Sequence, residues 1–118
     1  MKLISTFLKI QNQLRLFHWQ TSSYAEHKAF GAAYKAFDVF IDDFVEILIG
    51  KHGKPGGKIT YKLELEGYDE NYTGFINSCV SFFENLQNEL NETDIDLINL
   101  RDEMLGEINK LKYLLQLN

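Results

Sequence analysis

The chain has a single cysteine, Cys79, so no disulfide can form within it, and a reducing compartment, the cytoplasm, is the expected location. No apolar run approaches the roughly 20 residues needed to cross a bilayer. The opening stretch MKLISTFLKIQNQLRLF interrupts its apolar positions with Ser5, Lys9, Gln11 and Gln13. It has no continuous hydrophobic region and no small-residue cleavage site, so it reads as helix rather than as a secretory leader. Positive charge is scarce: 12 Lys and Arg stand against 17 Asp and Glu, a formal net charge of −5. Lys51, His52, Lys54 and Lys58 form the one local basic group, and neither end carries a basic tail. That argues against nucleic acid as a partner, because polyanion binding needs clustered cations. No Ser–His–Asp arrangement marks a nucleophile, and GKPGG lacks the spacing and the following Ser or Thr of a phosphate loop.

What is present is ordinary for one packed domain over residues 1–118: 45% hydrophobic and 14% aromatic residues. Leu3, Phe7, Ile10, Leu14 and Phe17 recur at steps of three and four, which predicts helix A over about residues 2–20. Gln20 to Ser23 interrupt it, and Ser22 or Ser23 suits the cap of the next helix. Helix B follows over about 24–49, with Phe30, Ala33, Phe37, Ile41, Phe44 and Leu48 as its apolar stripe and Gly50 as its stop. Helix C is expected over about 70–90 on Phe75, Cys79, Phe82, Leu86 and Leu90. Helix D runs to about 116 on Ile98, Leu105, Ile108, Leu111 and Leu115, with Thr93 and Asp96 approximating a capping box. Cys79, on an apolar stripe, is expected to be buried and inert.

Between helices B and C, ITYKLELEG alternates like a strand, with Ile59, Tyr61, Leu63 and Leu65 on one side. A lone strand has no partner in a helical chain. The preferred expectation is an extended crossing that lays those four side chains on the bundle; the alternative is an edge strand pairing with another subunit. The connections run short, long, short. Twenty residues at just over 3 Å each can travel the length of a 30–40 Å helix and bring the chain back parallel. The expected fold is therefore all-α, a four-helix bundle with one long B–C crossover, which is the ferritin-like topology.

One constellation carries chemistry. His18 and His27 flank the A–B break, and Asp42 and Glu46 follow His27 by fifteen and nineteen residues. Imidazole and carboxylate together suit a first-row transition metal such as iron, with Zn or Mn as other occupants. On a helix rising about 1.5 Å per residue, His27 and Asp42 lie roughly 22 Å apart. Ligands approach a metal to about 2 Å, so one subunit cannot close this site. Either the four residues are not one site, or a second, antiparallel copy brings its Asp42 and Glu46 to these histidines. No Glu-x-x-His occurs, which disfavours a di-iron site inside a single bundle.

The runs LRLFHWQ, YAEHKAF and IDDFVEIL resemble the Dps-type mini-ferritins, a branch of the ferritin-like superfamily. The resemblance places His18, before Trp19, and His27 as the paired histidines of that family, and Asp42 and Glu46 as its downstream acids. It implies an iron site between twofold-related subunits, assembly from a homodimer to a dodecameric cage, and Fe(II) oxidation by hydrogen peroxide or dioxygen with storage of the ferric product. The position four past the second histidine, acidic in many members, is Gly31 here, with Asp38 and Glu26 as candidate substitutes. A second reading, from another class, is a non-catalytic ferritin-like scaffold or assembly module, such as a virus or compact genome would encode. Trp19 and Tyr24 read as interface or core aromatics, Asp38 and Asp43 as surface or supporting groups, and His52 as a surface residue without companions.

Overall fold

The first helix, α1 (Lys2–Gln20), buries all five residues of its expected stripe, and α2 (Tyr24–His52) buries Phe30, Ala33, Phe37, Ile41 and Phe44 from its own. The structure, a computed structural model, describes residues 2–54 and 57–117. Among them the elements after α2 are α3 (Thr73–Leu86), a single 3₁₀ turn over Gln87–Glu89, and α4 (Ile95–Leu114), with no strand. Phe7 meets Phe44 at 5.2 Å and Phe17 meets Phe30 at 5.4 Å, so α1 and α2 run antiparallel. Phe7 also packs on Phe82 at 5.9 Å while Phe17 packs on Phe75 at 5.8 Å, so α3 opposes α1 and runs parallel to α2. At the far end, Lys51 and His52 of α2 reach Asp94 at the entry to α4, which makes α4 antiparallel to both α2 and α3. The result is an all-helical four-helix bundle measuring 43 × 29 × 21 Å. Its centre is aromatic. Phe7, Phe30, Phe37, Phe44 and Phe83 are fully buried, each contributing about 1.5–3 kcal/mol by leaving water.

Several helix details differ from the expectation. Helix α2 passes through Gly50 and ends at Gly53, whose φ of 83° is open to glycine and whose N–H caps Ile49 O. The start of α4 is set by Asp94 rather than Thr93, and no side chain caps it. Along α3 the buried residues are Ile76, Cys79, Phe83 and Leu86, with Phe75 and Phe82 only half-buried. Because α3 sits between α1 and α4, it uses both edges of its apolar arc. On α4 the buried set is Leu97, Arg101, Met104, Ile108 and Leu111. His52, expected to have no companions, lies 3.0 Å from Asp94, whose side chain is only 4% exposed. Hydrogen bonds from Lys51, then His52, then the Asn91 N–H hold the Asp94 carboxyl well below the usual range.

The crossover from 53 to 72 corrects the sequence expectation most. Ile59, Tyr61, Leu63 and Leu65 do not lie on the bundle; they are 49, 37, 37 and 40% exposed. The segment is instead held by two glutamines of α1. The buried Gln13 side chain donates to Glu66 O at 2.7 Å and accepts from Glu66 N at 2.8 Å, and Gln20 Oε1 accepts from Tyr68 N at 2.7 Å. Backbone polar groups must find partners, and a polar side chain on the apolar face of α1 provides them without requiring the alternate apolar residues to turn inward. The turn expected at GKPGG includes residues 55 and 56, which lie outside the described residues.

Candidate functional site

The A–B elbow is short and is held by hydrogen bonds at Thr21 and Ser23. Ser23 Oγ accepts from Glu26 N at 3.2 Å and so caps α2, as a hydroxyl at that position should. Glu26 then collects three hydroxyls, from Thr21 at 2.6 Å, Tyr68 at 2.5 Å and Tyr72 at 2.7 Å. Burial pushes its carboxyl up, and the hydrogen bonds from Thr21, Tyr68 and Tyr72 more than offset that, leaving it below the ordinary value. Tyr68 is raised, first by its bond to Glu26; Tyr72 is raised further, first by burial and then by the same carboxylate. Glu26 is therefore committed to tying the end of the crossover to the elbow, and it does not replace the acid absent at Gly31. Its two tyrosine partners stand more than 40 residues away in sequence, and no local spacing signals them.

Beside this hub the two histidines form a reciprocal pair. His18 Nδ1 lies 2.7 Å from His27 O, His27 Nδ1 lies 2.9 Å from His18 O, and the rings stack with centroids 3.9 Å apart. A carbonyl oxygen only accepts, so each Nδ1 carries the hydrogen. In the neutral ring, Nε2 then keeps its lone pair. Backbone carbonyls commonly orient metal-ligating imidazoles in this way. Both histidines line an open cleft with Lys28, Gly31, Ala32 and Lys35. Tyr34 backs His18 at 5.2 Å between ring centroids, and the Arg15 guanidinium lies 5.0 Å above Tyr34. Arg15 also bonds Asp38 at 2.9 Å. Asp38 thus joins α1 to α2 and is not free to serve as a substitute ligand.

Asp42 and Glu46 lie about four and five turns past His27 along α2, exposed. The Glu46 carboxyl is raised, first by a hydrogen bond with Asp42, then by that residue's charge, then by burial and Asp43. Two carboxylates this close resist carrying both charges, and a cation relieves the conflict. Among the described residues no three or more of His, Cys, Asp and Glu are placed to hold a metal ion. The histidines come together, the acids come together, and the two halves stay apart within one copy.

The halves do share a face. Lys28, Ala32, Lys35, Val39, Asp42 and Glu46 step by four and three along α2, and all six are exposed. Tyr24 (74% exposed) lies 6.4 Å from His27, and Val39 is 60% exposed. Tyr24 and Trp19 (68% exposed) are therefore not core residues. The stripe is basic towards its N-terminus and acidic towards its C-terminus. Turned end over end, it faces opposite charge.

Residues 18–115 match a family of unknown function, DUF5856. The chain belongs to that family. No curated protein and no solved structure matches it. In this DUF5856 chain the matched span takes in both histidines, both acids, the crossover and the Glu26 hub. None of the helices of this DUF5856 chain is long and apolar enough, among the described residues, to cross a membrane.

Proposed function

We propose that this protein is a ferritin-like bundle that works as a pair of copies, binding Fe(II) between His18 and His27 of one and Asp42 and Glu46 of the other. The supporting observation is the reciprocal histidine pair, which leaves two Nε2 donors beside an open cleft. The charge polarity of the α2 face adds to it, because an antiparallel partner sets acids against the imidazole end. The donor set suits the ion: neutral imidazole nitrogen and carboxylate oxygen accept first-row divalent metals, and carboxylates favour the ferric product.

The chemistry is oxidation of Fe(II) as substrate. Two Fe(II) each give one electron to hydrogen peroxide, which takes up two protons and leaves as two waters. The protein's part is to hold the ions where peroxide can reach them and to supply oxygen donors for the product. Zn or Mn would occupy the same donors without this turnover. The Dps-like reading extends to protection against peroxide and to cage assembly.

Anaerobic Fe(II) titration followed by a measured dose of peroxide tests the proposal. Saturable binding and a stoichiometric rise in ferric absorbance are expected, both weakened by Glu46→Ala, an exposed position whose loss does not disturb the core. A parent protein that binds no Fe(II), or a Glu46→Ala variant that oxidises it as the parent does, overturns the assignment. The second reading, an assembly module without iron chemistry, draws on the exposed Tyr24 and Val39 of the same face. It predicts a copy–copy contact indifferent to metal.

A further inference from the structure

The crossover presents an unused strand edge. Residues 59–69 run without helix, turn or bend, and residues 57–67 are all exposed. Among the described residues, no hydrogen bond involves the backbone of residues 60–65, although Glu66 is bonded through both its N–H and its C=O. Those two bonds orient the segment. In an extended chain the N–H and C=O of one residue point to the same side, and the next residue's point to the other. Because Glu66 directs both groups at Gln13 on the bundle, Leu65, Leu63 and Tyr61 direct theirs away from it.

We propose that this edge pairs with itself: residues 61–65 of two copies form an antiparallel ladder with Leu63 opposite Leu63. The charge pattern selects both the occupant and the register. The odd residues carry the free backbone groups, so odd must face odd, and the neighbouring registers differ by two. One of them sets Lys62 against Lys62, and the other sets Glu64 against Glu64. The register centred on Leu63 sets Lys62 against Glu64 twice, with Tyr61 against Leu65 on the opposite side. Opposite charges across a ladder stabilise it and like charges destabilise it. An unrelated strand would not require this internal polarity, basic at Lys58 and Lys62 and acidic at Glu64 and Glu66. A second copy reads it correctly from either end.

A ladder this short is marginal alone, so it forms as part of a larger copy–copy contact. In that respect only, it rests on the two-copy reading above. It needs no metal.

Cysteine cross-linking in the full chain tests it, since the native Cys79 is buried and burial pushes its thiol up to about 12. Facing residues in such a ladder have Cα atoms about 4.5–5.5 Å apart, within the reach of a disulfide; a two-residue offset is beyond it. Leu63→Cys is expected to form a covalent dimer on mild oxidation. Lys62→Cys and Glu64→Cys are each expected to stay monomeric, and their equimolar mixture to cross-link. At ~10 µM protein, a held pair at millimolar effective concentration reacts about 100-fold faster than the exposed control Asp102→Cys. Lys62→Glu is expected to weaken self-association and Lys62→Glu/Glu64→Lys to restore it.

All arms are run with EDTA, and again on the Glu46→Ala background. Failure of iron chemistry with cross-linking intact counts against the metal centre alone. Leu63→Cys reacting no faster than the control, Lys62→Cys or Glu64→Cys dimerising as readily alone as together, or a double charge swap that does not recover association each overturns the ladder.

Discussion

A Cβ placed on Gly31 would stand 2.8 Å from both Cε1 and Nδ1 of His18. Those atoms belong to a ring already fixed by a carbonyl on one edge and by the His27 ring on its face. The space that a side chain on α2 would fill is occupied by a side chain from α1. In this chain the lack of a side chain at Gly31 is what lets the histidine pair close.

Gly31→Ala is accordingly expected to destabilise the protein, although alanine is favoured over glycine in a helix by about 1 kcal/mol. Forcing an atom into occupied space costs typically 1–3 kcal/mol, so the net effect is a lower midpoint in urea. The same variant should bind Fe(II) more weakly. A Gly31→Ala protein that is more stable than the parent would show that the His18 ring moves aside at little cost.

Gln13 is 1% exposed, and its amide makes both of the hydrogen bonds that anchor Glu66. Gln13→Leu keeps the volume but strands a backbone donor and acceptor, at about 1–3 kcal/mol. Amide exchange at Glu66 and Tyr68 should accelerate well beyond that in the centre of α2. Unchanged protection at Glu66 would mean that the crossover is held by something other than this glutamine.

The Glu26 hub gives the protein an acid limit. Its carboxyl lies below the ordinary 4.5 in the folded state, where burial is outweighed by the Thr21, Tyr68 and Tyr72 hydroxyls. A depressed carboxyl binds its proton more readily when unfolded, so its contribution is present above 4.5 and fades as pH falls through the folded value. The stability difference between the parent and Glu26→Gln, read by denaturant titration, should be largest at pH 6–7 and shrink towards pH 3. A difference that does not change with pH contradicts the assignment.

Cys79 should be silent to thiol reagents in the native protein and react at once in denaturant, because the thiolate is the nucleophile and burial suppresses it. Rapid native labelling would show that α3 opens readily and would remove the clean background on which the cross-linking relies.

Much of the bundle was legible because it rests on periodicity. The α1 and α2 stripes repeat at three and four with few competing apolar residues, and the loop lengths dictate which neighbours run antiparallel. In α3 and α4 the buried positions fall one residue away from the sequence stripe in places: Phe82 and Phe83 are adjacent and equally apolar, as are Leu97 and Ile98. Which of two adjacent apolar residues is buried depends on the position of the neighbouring helix, which a single helix does not encode. Asp94, which engages His52 from 42 residues away, carried no local signal at all.

The candidate site divides along the same line. Sequence alone determined that His27 and the two acids lie too far apart on one helix to meet within a copy, because helical rise is set by backbone geometry. Only the tertiary structure decided that the histidines stack and cap each other's carbonyls, that Glu26 and Asp38 are committed elsewhere, and that four alternating apolar residues of the crossover face outward. Those outcomes depend on which polar groups find partners once the helices pack, and that competition is settled between segments distant in the chain.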